Sequence, residues 1–394
     1  MKIAVVTAHY LPEMGYLEVD LARGLHKEGN EVRVFTSTHI PPRARGKGVS
    51  PRSKGLKKEQ RVEVLRLSHR SAHNQVVIAK GLRKAVETYD PDLTIAIGIG
   101  KIFPGPVLLP PEERRSRLIG LFGNTRFNYR NRSLQSFQKR FVQRLLKDRQ
   151  YQKAVRHCDS LWCYTPETQH ILRSFIGKRE EKVLQEKLRL TSLGFDPECY
   201  YFDPEEREGT RRAMGMETDG ILFVTATRPV PSKKLEELIE AFEGLMEAHG
   251  KVHYLLVGAS EDAYSARLEK RMASSSKKER LHMLPFQGRE ELRRSFNAAD
   301  IGVWTAASIS IQQGMGTGLP VLLPNAQALS HLIDQGKNGV YFEERALLEG
   351  LRQVLQKFGN GSIEARKERA EENAECRSDR AIARDLLERS MGEC

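Results

Sequence analysis

The chain contains no run of about eighteen apolar residues, so nothing in it reads as a membrane-spanning helix. Paired cysteine spacing is missing as well. Its five cysteines, Cys158, Cys163, Cys199, Cys376 and Cys394, are scattered without a CxxC, which excludes a disulfide framework and a cysteine-built zinc site. Reduced thiols in a cytoplasmic protein are the expectation. His69 and His73 stand four apart with no third ligand nearby in sequence, so they read as a chance pair, and no metal site is expected. There is no GxGxxG fingerprint after the first strand, hence no dinucleotide cofactor. The start, MKIAVVTAHYLPE, lacks the apolar core and cleavage site of a signal peptide and reads as a first strand. No repeat at a solenoid period is visible.

What is present is a chain of 394 residues with frequent glycine and ordinary apolar content, long enough for two domains. Sixty-four basic residues oppose 51 acidic ones, a net charge of +13. The excess gathers in two blocks. Residues 41–60 hold Arg43, Arg45, Lys47, Arg52, Lys54, Lys57 and Lys58 against Glu59. Residues 126–156 hold ten Arg or Lys, from Arg126 to Arg156, against Asp148. Such faces suit anionic lipid, a phosphorylated substrate or nucleic acid, or are simply solvated. The aromatics of the second block, Phe127, Tyr129 and Phe137, form no RNA-binding pattern, so nucleic acid is not expected.

Short β-branched runs alternate with amphipathic helices almost throughout. KIAVVTA, EVRVFTS, VEVLRLS, LTIAIGIG, RLIGLFG and SLWCYT are strands of the first half. Helical patterns lie at Leu17–Glu28, Ile78–Tyr89 and Ser133–His157. ILFVTAT, KVHYLLVG, LHMLPF, IGVWTAA, PVLLP and GVYF repeat the scheme, with a helix from Lys233 to His249. Continuous apolar strands separated by helices predict parallel sheets covered on both faces. The fold class is therefore α/β: two doubly wound, Rossmann-like domains facing across a cleft. Residues 1–200 form the first, 201–370 the second, and 371–394 a terminal helix that crosses back to the first domain. The break is expected in the polar stretch Asp203–Asp219. In such sheets ligands sit beyond the carboxyl ends of the strands.

Three junctions carry chemistry. HYLPEMGYLEV places Gly15 between a turn and a helix, where backbone N–H groups meet an anion. VTATRPVPSKKLEELIEAF holds Arg228 and Lys233 on a proline-stiffened loop, a possible diphosphate clamp or a basic loop paired with the following glutamates. WTAASISIQQGMGTGLPVLLP, Trp304–Pro324, has no charged residue. Ser308 and Ser310 are placed to cap its helix, and Gly314, Gly316 and Gly318 serve close packing or close approach.

In order, these elements resemble glycosyltransferase family 4, retaining enzymes of the GT-B type. LPEMGYLEV resembles x-P-x-x-G-G-x-E, and GNEVRVFTS follows as G-x-E-V-x-V. TSLGFDPECYYFDP resembles P-N-G-V-D-x-x-x-F through Gly194, Phe195 and Asp196. TRPVPSKKLEELIEAF resembles G-R-L-x-x-x-K-G-x-x-x-L-I-x-A. FQGREELRRSFNAADIGVW and QGMGTGLPVLLP match the last two motifs. The resemblance implies that Arg228 and Lys233 bind the donor diphosphate and stabilise its departure. It puts Gly15, Tyr16, Thr305, Ser308, Ile309, Ser310 and Gln313 around the donor, and makes Asn124 the nearest match to a histidine many members carry.

Both glutamates of the E-x7-E signature are replaced, by Thr305 and Gln313, and the second glycine of the first loop is Tyr16. Gln313 keeps hydrogen bonding to a ribose, and sugar contact passes to Ser308, Ser310 and backbone N–H groups. The expected function is a metal-independent retaining hexosyltransferase moving a sugar from a nucleotide-diphosphate donor to a glycan or lipid-linked acceptor. It would act in surface polysaccharide or glycolipid synthesis, in the cytoplasm and peripheral at an anionic membrane. The alternative is a catalytically weakened relative that partners or regulates an active transferase.

Overall fold

The computed structural model describes residues 1–14, 16–41, 44, 49–72, 76–123, 148–176, 178–334 and 336–392. The chain divides into two compact units, Met1–Gly194 with Asp379–Cys394, and Phe195–Ser378. Residues 204–213, inside the polar stretch that reads as a break, form a helix of the second unit; Asp203 caps it by accepting from Glu205 N and Glu206 N. The crossing lies instead at Gly194–Phe195.

Strands of the first unit are β1 (Lys2–Val6), β2 (Glu31–Ser37), β3 (Gly55–Glu59), β4 (Val62–Leu67), β5 (His69–Ala72), β6 (Val76–Ala79), β7 (Leu93–Ile97), β8 (Arg117–Phe122), β9 (Ser160–Cys163) and β10 (Leu188–Leu190). Eight make one sheet, in the order β10-β9-β8-β7-β1-β2-β4-β3, and only β3 runs antiparallel. Both faces are buried, because alternate residues of β1 go to opposite cores. Ala4 and Val6 pack beneath Leu82, Val86 and Ala154, while Ile3 and Val5 pack with Val19, Leu25 and Ala383. The helix at 82–89 is shorter than its periodicity suggests: Val76–Ala79 is spent on β6, which forms a hairpin with β5. Of the helix read at Ser133–His157, the described part, 148–157, is helical.

The basic stretch 41–60, a loop by composition, contributes edge strand β3. Lys57 and Lys58 lie exposed on that edge, a placement that discourages further strand pairing. Arg52 of the same stretch is paired with Glu13.

The second unit holds β11 (Ile221–Ala226), β12 (Val252–Ala259), β13 (Leu281–Pro285), β14 (Ile301–Val303), β15 (Val321–Pro324) and β16 (Gly339–Phe342). They form one parallel sheet, β13-β12-β11-β14-β15-β16. Leu235, Leu238, Ile239, Phe242 and Leu245, the apolar stripe read from sequence, are all fully buried on one face. Ile311 and Met315 fill the other. The α/β, doubly wound reading of both units is borne out.

Candidate functional site

Doubly wound sheets leave a crevice where the strand order reverses, at the carboxyl ends of the strands. In the second unit that point lies between β11 and β14, since β12 extends one side of β11 and β14 pairs with the other. The loops leaving these two strands are VTATRPVPSKK and WTAAS, and they interlock.

Lys233 Nζ donates to Ala307 O at 2.6 Å, and Thr305 Oγ1 donates back to Lys233 O. The buried Trp304 indole donates to Ala226 O at 2.9 Å; Ser310 Oγ donates to the same carbonyl, and Ser308 Oγ lies 2.7 Å from Ser310 Oγ. Burial, with Arg228 adding repulsion, pulls the Lys233 ammonium down to about 8. Arg228 is exposed and makes no hydrogen bond or ion pair among the described residues. Arg228 and Lys233 thus sit close enough to repel one another with no carboxylate between them. A diphosphate would relieve that repulsion.

The local backbone is set for this. Pro231–Lys233 forms a 3-10 turn, and Lys234 follows in the left-handed region at φ 47°, immediately before helix Leu235–Ala248. Such a conformation costs a non-glycine residue about 1 kcal/mol or more, and strained residues cluster at ligand clamps. Lys234 turns outward to Glu344 and Glu237, which leaves Lys233 as the inward cation. That division between adjacent lysines, the indole of Trp304 and the acceptor role of Ala307 O are not visible in spacing; only the Lys-Lys pair hinted at it.

One expectation is corrected. Ser308 and Ser310 do not cap the helix Ser310–Gly316, whose N-cap is Ile309 with no side-chain bond. Their hydroxyls are drawn instead to each other and to Ala226 O. Gly314, Gly316 and Gly318 are packing residues. A Cβ at Gly316 would meet the Phe195 ring at 2.5 Å, and one at Gly318, at φ 72°, would meet Arg366 O at 2.1 Å. Gln313 lies buried on that helix and its amide makes no hydrogen bond among the described residues. Tyr16 belongs to the first unit, half-buried at the N-cap of helix Leu17–Lys27, where its carbonyl accepts from Val19 N. Gly15 and Asn124 lie outside the described residues.

Two doubly wound units, one with paired cations at its switch point, define a GT-B fold. Residues 206–375, which lie within the second unit, match the family described as Glycosyl transferases group 1. The fold is similar to that of a sucrose-phosphate synthase from Thermosynechococcus elongatus, at TM-score 0.69 and 16% identity over 99% of each chain. Anabaena HepE in complex with UDP-glucose gives TM-score 0.68 at 16% identity over 100% of each chain. A stretch of 149 residues is 21% identical to the alpha-monoglucosyldiacylglycerol synthase of Acholeplasma laidlawii. That match spans 36% of this chain and 36% of the relative, about a third of its length.

Proposed function

We propose that the chain is a retaining, metal-independent hexosyltransferase that moves a sugar from a nucleotide-diphosphate donor to a glycan or lipid-linked acceptor. The observation that carries the reading is the bonding of Lys233, which Arg228 is close enough to repel, to Thr305 and Ala307 at the switch point of the second unit. In the reaction the bond from the anomeric carbon to the diphosphate oxygen breaks and a bond to the acceptor oxygen forms. The acceptor's proton leaves to the departing diphosphate. Negative charge grows on that diphosphate, and the half-buried Lys233 ammonium and the exposed Arg228 guanidinium stabilise it. Ser308, Ser310 and the backbone around Ile309 hold a neutral sugar by hydrogen bonds, and Gln313 and Thr305 stand where the related family carries carboxylates. Gly15 and Tyr16 are assigned to the donor phosphates and Asn124 to the catalytic group.

HepE is in complex with UDP-glucose, which supports a nucleotide-sugar donor by analogy. The name of the Acholeplasma relative points to a lipid acceptor. Exposed Lys54, Lys57 and Lys58 on and beside β3 would then meet an anionic membrane from the cytoplasmic side. No helix among the described residues is long and apolar enough to cross one.

Thermal-shift titration with UDP, GDP, ADP, CMP and dTDP identifies the base, because a bound ligand stabilises by mass action. A panel of nucleotide sugars on the matching base then tests transfer, and NMR of the product tests its anomeric configuration. No stabilisation by any nucleotide sinks the donor reading, and an inverted product sinks the retaining one.

A further inference from the structure

Three histidines, from three separate loops of the first unit, form one column. His9 follows β1, His39 follows β2 and His69 opens β5 directly after β4; these strands lie side by side, so all three sit at the carboxyl edge of the sheet. The His9 and His39 ring centroids are 5.2 Å apart, and His39 meets His69 edge-on at 5.0 Å. His9 and His39 are buried and His69 is half-buried, so the column runs from the interior to the surface. Hydroxyls and carbonyls set the rings. Ser37 Oγ accepts from His39 N at 3.2 Å and donates to Ala8 O, and Thr38 Oγ1 lies 2.8 Å from His69 Nδ1. His9 Nδ1 lies 3.4 Å from His39 O; a carbonyl only accepts, so that nitrogen carries a proton.

The surrounding charge selects what such a column can hold. The Arg66 guanidinium, which donates to Tyr10 O beside His9, holds Glu59, and Arg52 holds Glu13. Lys54, Lys57, Lys58 and Arg70 have no carboxylate partner among the described residues. No group of histidines, cysteines or carboxylates among the described residues is arranged to hold a metal ion. Of those four cations, Arg70 follows His69 in the chain and Lys54 precedes Gly55, which registers with Arg66 near the carboxyl end of β4; Lys57 and Lys58 register with Val64 and Glu63 farther along. Imidazoles at an edge that carries such cations suit an oxyanion.

We propose that the His9–His39–His69 column binds a phosphate group carried by the acceptor, with His69 as the outer contact. The proposal rests on the transferase reading only for the word acceptor; the site itself belongs to the first unit, apart from the clamp at Lys233. It also reverses the dismissal of His69 as half of a chance pair. His73, the other half, lies outside the described residues.

The test is NMR on the full chain labelled at histidine rings, with resonances assigned by His39→Gln and His69→Gln. The probes are a soluble phosphomonoester, methyl phosphate, and vesicles of phosphatidylglycerol, with phosphatidylcholine vesicles and sulfate-free buffer as blanks. Saturable movement of the His39 and His69 resonances with methyl phosphate supports a soluble phosphorylated acceptor. Movement with phosphatidylglycerol alone supports a lipid phosphate. His69→Gln should weaken the responding probe by about tenfold, the loss of one charge-assisted hydrogen bond. Immobile ring resonances with both probes in the wild-type chain overturn the proposal, whatever the variants do. A thermal shift by nucleoside diphosphate in the same samples reports the donor site separately, so failure of one reading is distinguishable from failure of the other.

Discussion

The two sheets share a winding rule but furnish their carboxyl edges differently. At β11 and β14 the polar atoms form a tight lock, Lys233 to Ala307 O and Thr305 to Lys233 O, with two cations that have no carboxylate partner among the described residues. At β1, β2 and β4 the furnishing is imidazole, with His39 in ring contact with both His9 and His69. The fold sets where a ligand goes; the charge type at that edge sets which ligand. A pair of cations suits a diphosphate that must leave, whereas imidazole suits a group that is recognised and released.

Breaking the first of these edges should have the largest consequence. Arg228→Ala and Lys233→Ala are each expected to lower kcat/KM by about a hundredfold, or about 2.7 kcal/mol, measured with the best donor of the panel. Unchanged kinetics in both would remove the clamp from the mechanism. The next effect is on pH. Lys233 is held at about 8, below its usual 10.5, because burial and Arg228 disfavour the charged form. Its ammonium is therefore present below about 8 and lost above, so nucleoside-diphosphate affinity should be flat below 8 and fall by up to about tenfold per unit above it. Calorimetry from pH 6.5 to 9.5 checks this, and Lys233→Arg should flatten the profile. Smaller again is Thr305→Val, which frees Lys233 O but keeps the ammonium. Donor KM should rise roughly fivefold, about 1 kcal/mol, with kcat nearly unchanged.

The last prediction sharpens the contrast through stability. In the second unit His253 and His331 are held near 4, by burial first, then by His282, Arg280 and Arg211 for the former and Arg377 for the latter; His282 is lowered by burial too. These folded values lie below the ordinary 6.5, so neutral rings are favoured in the native state. Their contribution is present above about 6.5 and lost as pH falls toward 4. Melting curves between pH 7.5 and 4.5 should show the decline, and His253→Phe should reduce it.

Much of the architecture could be read from residues alone. The strands written as apolar runs are strands, since a parallel sheet buried on both faces demands that pattern. Arg228 and Lys233 read either as a diphosphate clamp or as a basic loop paired with the following glutamates, and it is the neighbouring Lys234 that takes Glu237 and Glu344. Other features depend on long-range pairing that no local pattern records. Strand β3 hides in a basic stretch because its only partner is β4 and its side chains are mostly exposed. Ser308 and Ser310 look like caps, and only the approach of Ala226 O draws them away. The histidine column joins residues thirty positions apart, from His9 to His39 to His69, a separation that no local spacing records.

The most direct measurement is a structure of the chain with the stabilising nucleoside diphosphate bound. The account predicts phosphate oxygens within hydrogen-bond reach of both Lys233 Nζ and the Arg228 guanidinium, beside residues 304–310. A diphosphate seated elsewhere, with Lys233 still bonded to Ala307 O, would contradict it.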